Sequence, residues 1–80
     1  MKYFIYLLIN ERKDKTYVGH TADLEQRIRQ HKVGQVKSTK QFGQLESLIL
    51  EEIDSLTEAR KREKYWKSAT GRKKLKLLFQ

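Results

Sequence analysis

Residues 2–9, Lys-Tyr-Phe-Ile-Tyr-Leu-Leu-Ile, run from Tyr3 onward through an unbroken series of large apolar and aromatic side chains. At the two-residue period of a strand, Tyr3, Ile5, Leu7 and Ile9 fall on one side and Phe4, Tyr6 and Leu8 on the other. Both sides are apolar, so the segment reads as a strand buried on both faces. It is far too short to span a bilayer, and no small-residue cleavage site follows it, so it is neither a membrane anchor nor a signal peptide. In a chain of 80 residues there is room for one domain, residues 1–80, with a small core.

The remaining elements follow from local signals. Asn10 to Asp14 is polar and turn-forming, which makes Lys15 to Gly19 the returning strand of a hairpin ending in a Gly turn. Asp23 caps a helix in which Leu24, Ile28 and His31 recur at helical spacing, and Gly34 stops it. Gln35 to Gln44 has no periodicity and reads as a loop. Leu45 to Ile53 is a third strand, with Leu48 and Leu50 opposite Ser47 and Ile49. Ser55 and Glu58 have capping-box spacing for a helix to about Lys67. Gly71 punctuates, and a short last helix carries Leu75, Leu78 and Phe79. The expected order is β-β-α-β-α-α, an α/β (α+β) fold with a small three-stranded antiparallel sheet flanked by helices.

Charge narrows the partners. The net charge is +8 and the pI about 9.9, and half of the eighteen Lys and Arg residues lie between Arg60 and Lys76. A basic balance clustered in this way favours a polyanion, with nucleic acid first. Lys37, Lys40, Lys61, Lys64, Lys67, Arg72 and Lys73 are the expected contacts. The last helix lacks the continuous apolar face that a membrane surface requires. With no Cys there is no disulfide and no thiolate metal site, which fits a reducing, cytoplasmic setting.

Several residues are suited to phosphate chemistry. Arg27 and His31 stand four residues apart on one helix face, joining a cation to an imidazole that titrates near neutrality. Tyr6 and Tyr17 lie on adjacent hairpin strands, and His20 follows the Gly19 turn as a second titratable group. Glu63 falls on the inward stripe of its helix with Leu56, Ala59 and Trp66. A carboxylate so placed needs either a Lys or Arg partner or a divalent ion, and Mg²⁺ requires only one or two carboxylates. Tyr6, Tyr17, Arg27, His31 and Glu63 are expected to line one pocket.

Over nearly its whole length the chain resembles a small stand-alone member of the GIY-YIG nuclease family. Phe4-Ile5-Tyr6 stands at the first motif, with Phe4 in place of Gly, and Tyr17-Val18-Gly19 at the second. Asp23-Leu24-x-x-Arg27 and His31 match the helix that follows. Glu58 to Ser68 resembles the third helix of the short members, and Gly71-Arg72-Lys73 fits its ending.

The resemblance implies a GIY-YIG fold and metal-dependent hydrolysis of DNA phosphodiester bonds. Glu63 would hold one Mg²⁺ or Mn²⁺ ion, and Arg27 would bind the scissile phosphate. Tyr6 or Tyr17 would orient or deprotonate the attacking water, and His20 or His31 would relay the proton. No second domain is present to read sequence, so specificity would come from DNA structure or from a partner protein. A monomer or weak dimer is expected. The rival reading is a non-catalytic nucleic-acid-binding module on the same fold, using Arg60 to Lys76 as its contact surface.

Overall fold

A computed structural model describes residues 1–78. Strand β1 (Tyr3–Asn10) lies at the centre of one antiparallel sheet, between β2 (Thr16–Thr21) and β3 (Leu45–Ile53). Helices α1 (Leu24–Lys32), α2 (Leu56–Lys67) and α3 (Ala69–Leu78) complete the order β-β-α-β-α-α. The α+β architecture is the one the sequence indicates. Phe79 falls outside the described residues.

The apolar run is buried from Ile5 onward because both faces of β1 are covered. On one face Ile5, Leu7, Ile9 and Val18 pack with Ala59 of α2 and Leu75 of α3, forming the main core. Strand alternation and register place Tyr6, Leu8, Tyr17 and Gly19 on the other face. The buried His31 of α1 packs there against both tyrosines. The hairpin between β1 and β2 is built by Asn10, whose Oδ1 accepts from the backbone amides of Asp14 and Lys15 at 3.0 and 2.9 Å. Lys13 takes the positive φ of 60° that this turn requires.

Four local expectations are corrected. Strand β2 continues to Thr21, so Gly19 is a strand residue and His20 belongs to the sheet rather than to a loop. The segment after α1 contains a single 3-10 turn (Lys37–Thr39), and Thr39 is buried there at 2% exposure. Gly71 is no stop signal. It lies inside α3, where a Cβ would come within 2.5 Å of the Trp66 Cα, so it lets α3 turn back tightly against the end of α2.

The fourth correction concerns β3. Its pairing with β1 slips between Ile5, opposite Glu51, and Tyr6, opposite Ile49, which leaves Leu50 as the extra residue of a bulge. The bulge switches the alternation and turns Glu51 towards α2. There Glu51 Oε2 accepts from Arg62 Nε and from Trp66 Nε1, both at 2.7 Å. Those two anchors bracket Glu63 on α2 and fix the helix against the sheet.

Candidate active site

Asp23 starts α1 as expected, its Oδ1 accepting from the Gln26 amide at 3.1 Å. The helix lays Arg27 and His31 over the tyrosine face of β1 and β2. The Tyr6 hydroxyl and His31 Nε2 are 3.0 Å apart, and His31 Nδ1 lies 2.7 Å from Thr39 Oγ1. All three residues are buried to 2% exposure or less. Both partners of the ring are hydroxyls, which donate or accept, so either tautomer of a neutral imidazole is satisfied. Tyr17 is half-buried beside them, its ring centroid 5.1 Å from that of His31 and 6.3 Å from that of Tyr6.

Electrostatics act on Tyr6, His31 and Arg27 together. Burial pushes the Tyr6 hydroxyl up to about 12, although the Arg27 guanidinium beside it acts in the opposite direction. Burial first, and then the Arg27 charge, hold His31 below the ordinary histidine value, which keeps it neutral near pH 7. Contact with Tyr6 is the chief reason that Arg27 is held as a cation still more firmly than usual. Its guanidinium donates from Nη1 to Gln30 Oε1 at 3.0 Å and lies half-buried.

Glu63 and His20 come from the other face of the sheet. His20 follows the buried Val18 in the alternation of β2, and its Nδ1 lies 2.9 Å from Glu63 Oε1. Because β2 is an edge strand, the two groups of residues meet around its outer side. Lys67, one helical turn beyond Glu63, spans the gap: its Nζ is 3.4 Å from Glu63 Oε2 and 5.5 Å from the Tyr17 ring centroid. The charge of Glu63 also reaches Tyr6, where it disfavours ionisation. The five residues expected in one pocket therefore divide: Tyr6, Tyr17, Arg27 and His31 form one cluster, and Glu63 approaches it around the sheet edge with His20 and Lys67.

A divalent ion would find a single carboxylate here, Glu63, already paired with His20 and Lys67. Among the described residues no group of three or more His, Cys, Asp or Glu side chains could enclose a metal. One carboxylate with 22% of its side chain exposed instead fits a hard cation that retains most of its water, as Mg²⁺ does. The Lys67 contact is long and its side chain 48% exposed, so it is the weaker of the two bonds holding Glu63.

The expected nucleic-acid contacts are dispersed. Lys37 and Lys40 flank Thr39 at the 3-10 turn. Lys61 pairs with Glu58 at 3.5 Å, and Lys64, Arg72 and Lys73 are exposed along α2 and α3. Sequence reasoning missed two residues. Thr39 stands in a segment without periodicity, eight residues from the histidine it binds. Glu51 is re-aimed by a bulge that no spacing announces. Its neighbour Glu52 makes a two-residue acidic run that gave the only hint.

Comparison with known proteins covers nearly the whole chain. The family model described as the GIY-YIG catalytic domain matches residues 2–76. A UPF0213 protein of Syntrophus aciditrophicus is 37% identical over 82 residues, spanning 99% of this chain and 92% of that protein. A UPF0213 protein of Staphylococcus saprophyticus is 36% identical over 80 residues, spanning 99% and 96%. No solved structure matches the chain significantly.

Proposed function

The chain belongs to the GIY-YIG family, which implies nuclease-type chemistry on DNA, and from that membership we propose a divalent-ion-dependent endonuclease that hydrolyses DNA phosphodiester bonds. Glu63 would hold one Mg²⁺ or Mn²⁺ ion, which when bound neutralises charge on the scissile phosphate and on the departing oxygen. Arg27 binds the same phosphate and offsets the charge that builds in the transition state.

The tyrosines have different tasks. Tyr6 is buried, bonded to His31 and pushed up to about 12, so it keeps its proton and orients its neighbours. Tyr17 is half-buried, with Lys67 Nζ near its ring. With Tyr6 committed to His31, Tyr17 is the phenol left to orient the attacking water. Neutral His31 holds Tyr6 in place through its two hydroxyl bonds. His20 steadies Glu63 and accepts a proton at the edge of the site.

The carrying observation is the position of Lys67, between the Glu63 carboxylate and the Tyr17 ring. It brings together residues from opposite faces of the sheet. DNA structure or a partner protein would supply selectivity, and the cytoplasm is the compartment proposed for the reaction. Nicking of supercoiled plasmid by the purified protein, with Mn²⁺ and with EDTA, tests the reading. Cleavage only with the ion supports it. Salt-sensitive DNA binding without cleavage in either condition would leave a binding module instead.

A further inference from the structure

Beside the tyrosine cluster, β2, α2 and α3 enclose a groove of about 410 Å³. Tyr17 and Trp66 contribute aromatic surface to it, and Leu75, only 3% exposed, lies at its base. Lys67, Arg72 and Lys76 supply positive charge around it. At the hairpin end, Asp14 and Thr16 add hydrogen-bonding oxygens.

This combination has a specific chemical counterpart. Cavities of roughly 300–1,000 Å³ are the size that takes small organic rings. Aromatic surface flanked by Lys and Arg is the arrangement on which proteins hold a nucleobase by its face and the attached phosphate by its charge. A base inside a duplex has both faces covered by its neighbours, so only an unpaired base can use such a groove. Tyr17 and Lys67 belong both to the groove and to the candidate active site. A nucleotide bound there would thus lie next to the phosphate held by Arg27.

We propose that the groove binds one unpaired nucleotide adjacent to the scissile phosphate, which makes the substrate class DNA with a single-stranded or frayed segment at the cut. This rests on the nuclease reading above and adds what that reading leaves open, the structural feature of the DNA that is recognised. The acceptor oxygens of Asp14 and Thr16 favour bases that carry an exocyclic amine, while stacking admits any base.

Trp66 is the only tryptophan of the chain, so its fluorescence reports on the groove without interference. The wild-type protein is titrated in EDTA, where no cleavage competes, with four probes: a short single-stranded oligonucleotide, the same strand with abasic sites throughout, a blunt duplex of equal length, and a free deoxynucleoside monophosphate. The single strand should quench Trp66 saturably. The abasic strand and the duplex should need at least about tenfold higher concentration for half-quenching. The monophosphate should be weaker than the single strand by a similar factor, because it lacks the flanking phosphates.

The double variant Arg72→Glu, Lys76→Glu should bind the single strand about tenfold more weakly with an unchanged melting temperature, since both side chains are exposed. Equal quenching by the abasic strand or by the duplex would overturn the proposal. So would a monophosphate as tight as the strand, which would mark a free-nucleotide site, and so would unchanged binding by the double variant. These results are separable from the nuclease reading. Ion-dependent nicking without base-dependent quenching removes the groove alone, whereas quenching without nicking removes the nuclease alone.

Discussion

The Tyr6 ring lies across the backbone of Gly19, its partner on β2, so that a Cβ at Gly19 would stand 2.5 Å from the Tyr6 hydroxyl oxygen and 3.0 Å from Tyr17 Cε1. Gly19 is required for space and not for an unusual backbone angle. The absent side chain opens the path by which the Tyr6 hydroxyl reaches His31. Gly19→Ala should therefore push Tyr6 off His31, destabilise the domain by about 1–3 kcal/mol through overpacking, and slow cleavage at least about tenfold among molecules that stay folded. Thermal melts and nicking rates of this variant check both effects. Unchanged values in both would show that Tyr6 is not held where described.

His31 gives the fold a defined pH response. It is surrounded by Tyr6 and Tyr17 from the sheet, Arg27 from its own helix and Thr39 from the 3-10 turn, and its pKa lies below the ordinary 6.5. The unfolded chain then takes up the proton more readily than the folded one. Stability is therefore fully present above pH 6.5 and is lost as the pH falls from there towards the depressed folded value. The wild-type melting temperature should decline between about pH 7 and pH 5.5, and that of His31→Gln should decline less over the same range. The two proteins differ only at this residue, so the difference isolates His31. Parallel curves would refute the buried, neutral histidine.

Gly71 makes a second steric prediction. A Cβ there would sit 2.5 Å from Trp66 Cα and 2.7 Å from the Trp66 carbonyl carbon, backbone atoms that cannot rotate away. In an ordinary helix Gly→Ala is favourable by about 1 kcal/mol. Here Gly71→Ala should destabilise, by about 2–4 kcal/mol, because α3 must swing away from α2 and Leu75 leaves the core. Chemical denaturation gives the sign directly, and a stabilised variant would mean that α3 does not pack as described.

The strands, the helix starts and the shared helix face of Arg27 and His31 were legible because each rests on a short-range pattern. Residues 3–9 are apolar at every position, Asp23 and Ser55 precede amphipathic runs, and Arg27 and His31 are a helical turn apart. What escaped was long-range. Gly19 and Gly71 look like turn residues in sequence, yet each is demanded by a neighbour: Tyr6 across the strand pair, and the Trp66 backbone across the α2–α3 junction. Glu51 faces α2 only because the Leu50 bulge reverses the alternation. Thr39 matters only through a histidine eight residues earlier. The inward position of Glu63 was visible from helical spacing, but its approach around the β2 edge to Lys67 and Tyr17 depends on how α2 crosses the sheet.

The most direct measurement compares single-turnover plasmid nicking by wild type and Glu63→Gln in Mn²⁺, at DNA-saturating protein and with melting temperatures recorded with and without the ion. The substitution keeps the shape and hydrogen-bonding reach of the side chain while removing the charge a divalent ion needs. Cleavage should fall by about a hundredfold or more. DNA affinity should change little, because dispersed Lys and Arg residues carry it, and any Mn²⁺-induced rise in melting temperature should vanish. The contradicting result is a Glu63→Gln protein that loses stability equally with and without Mn²⁺ yet cuts at the wild-type rate in its folded fraction. Glu63 would then be only the ion-pair partner of His20 and Lys67.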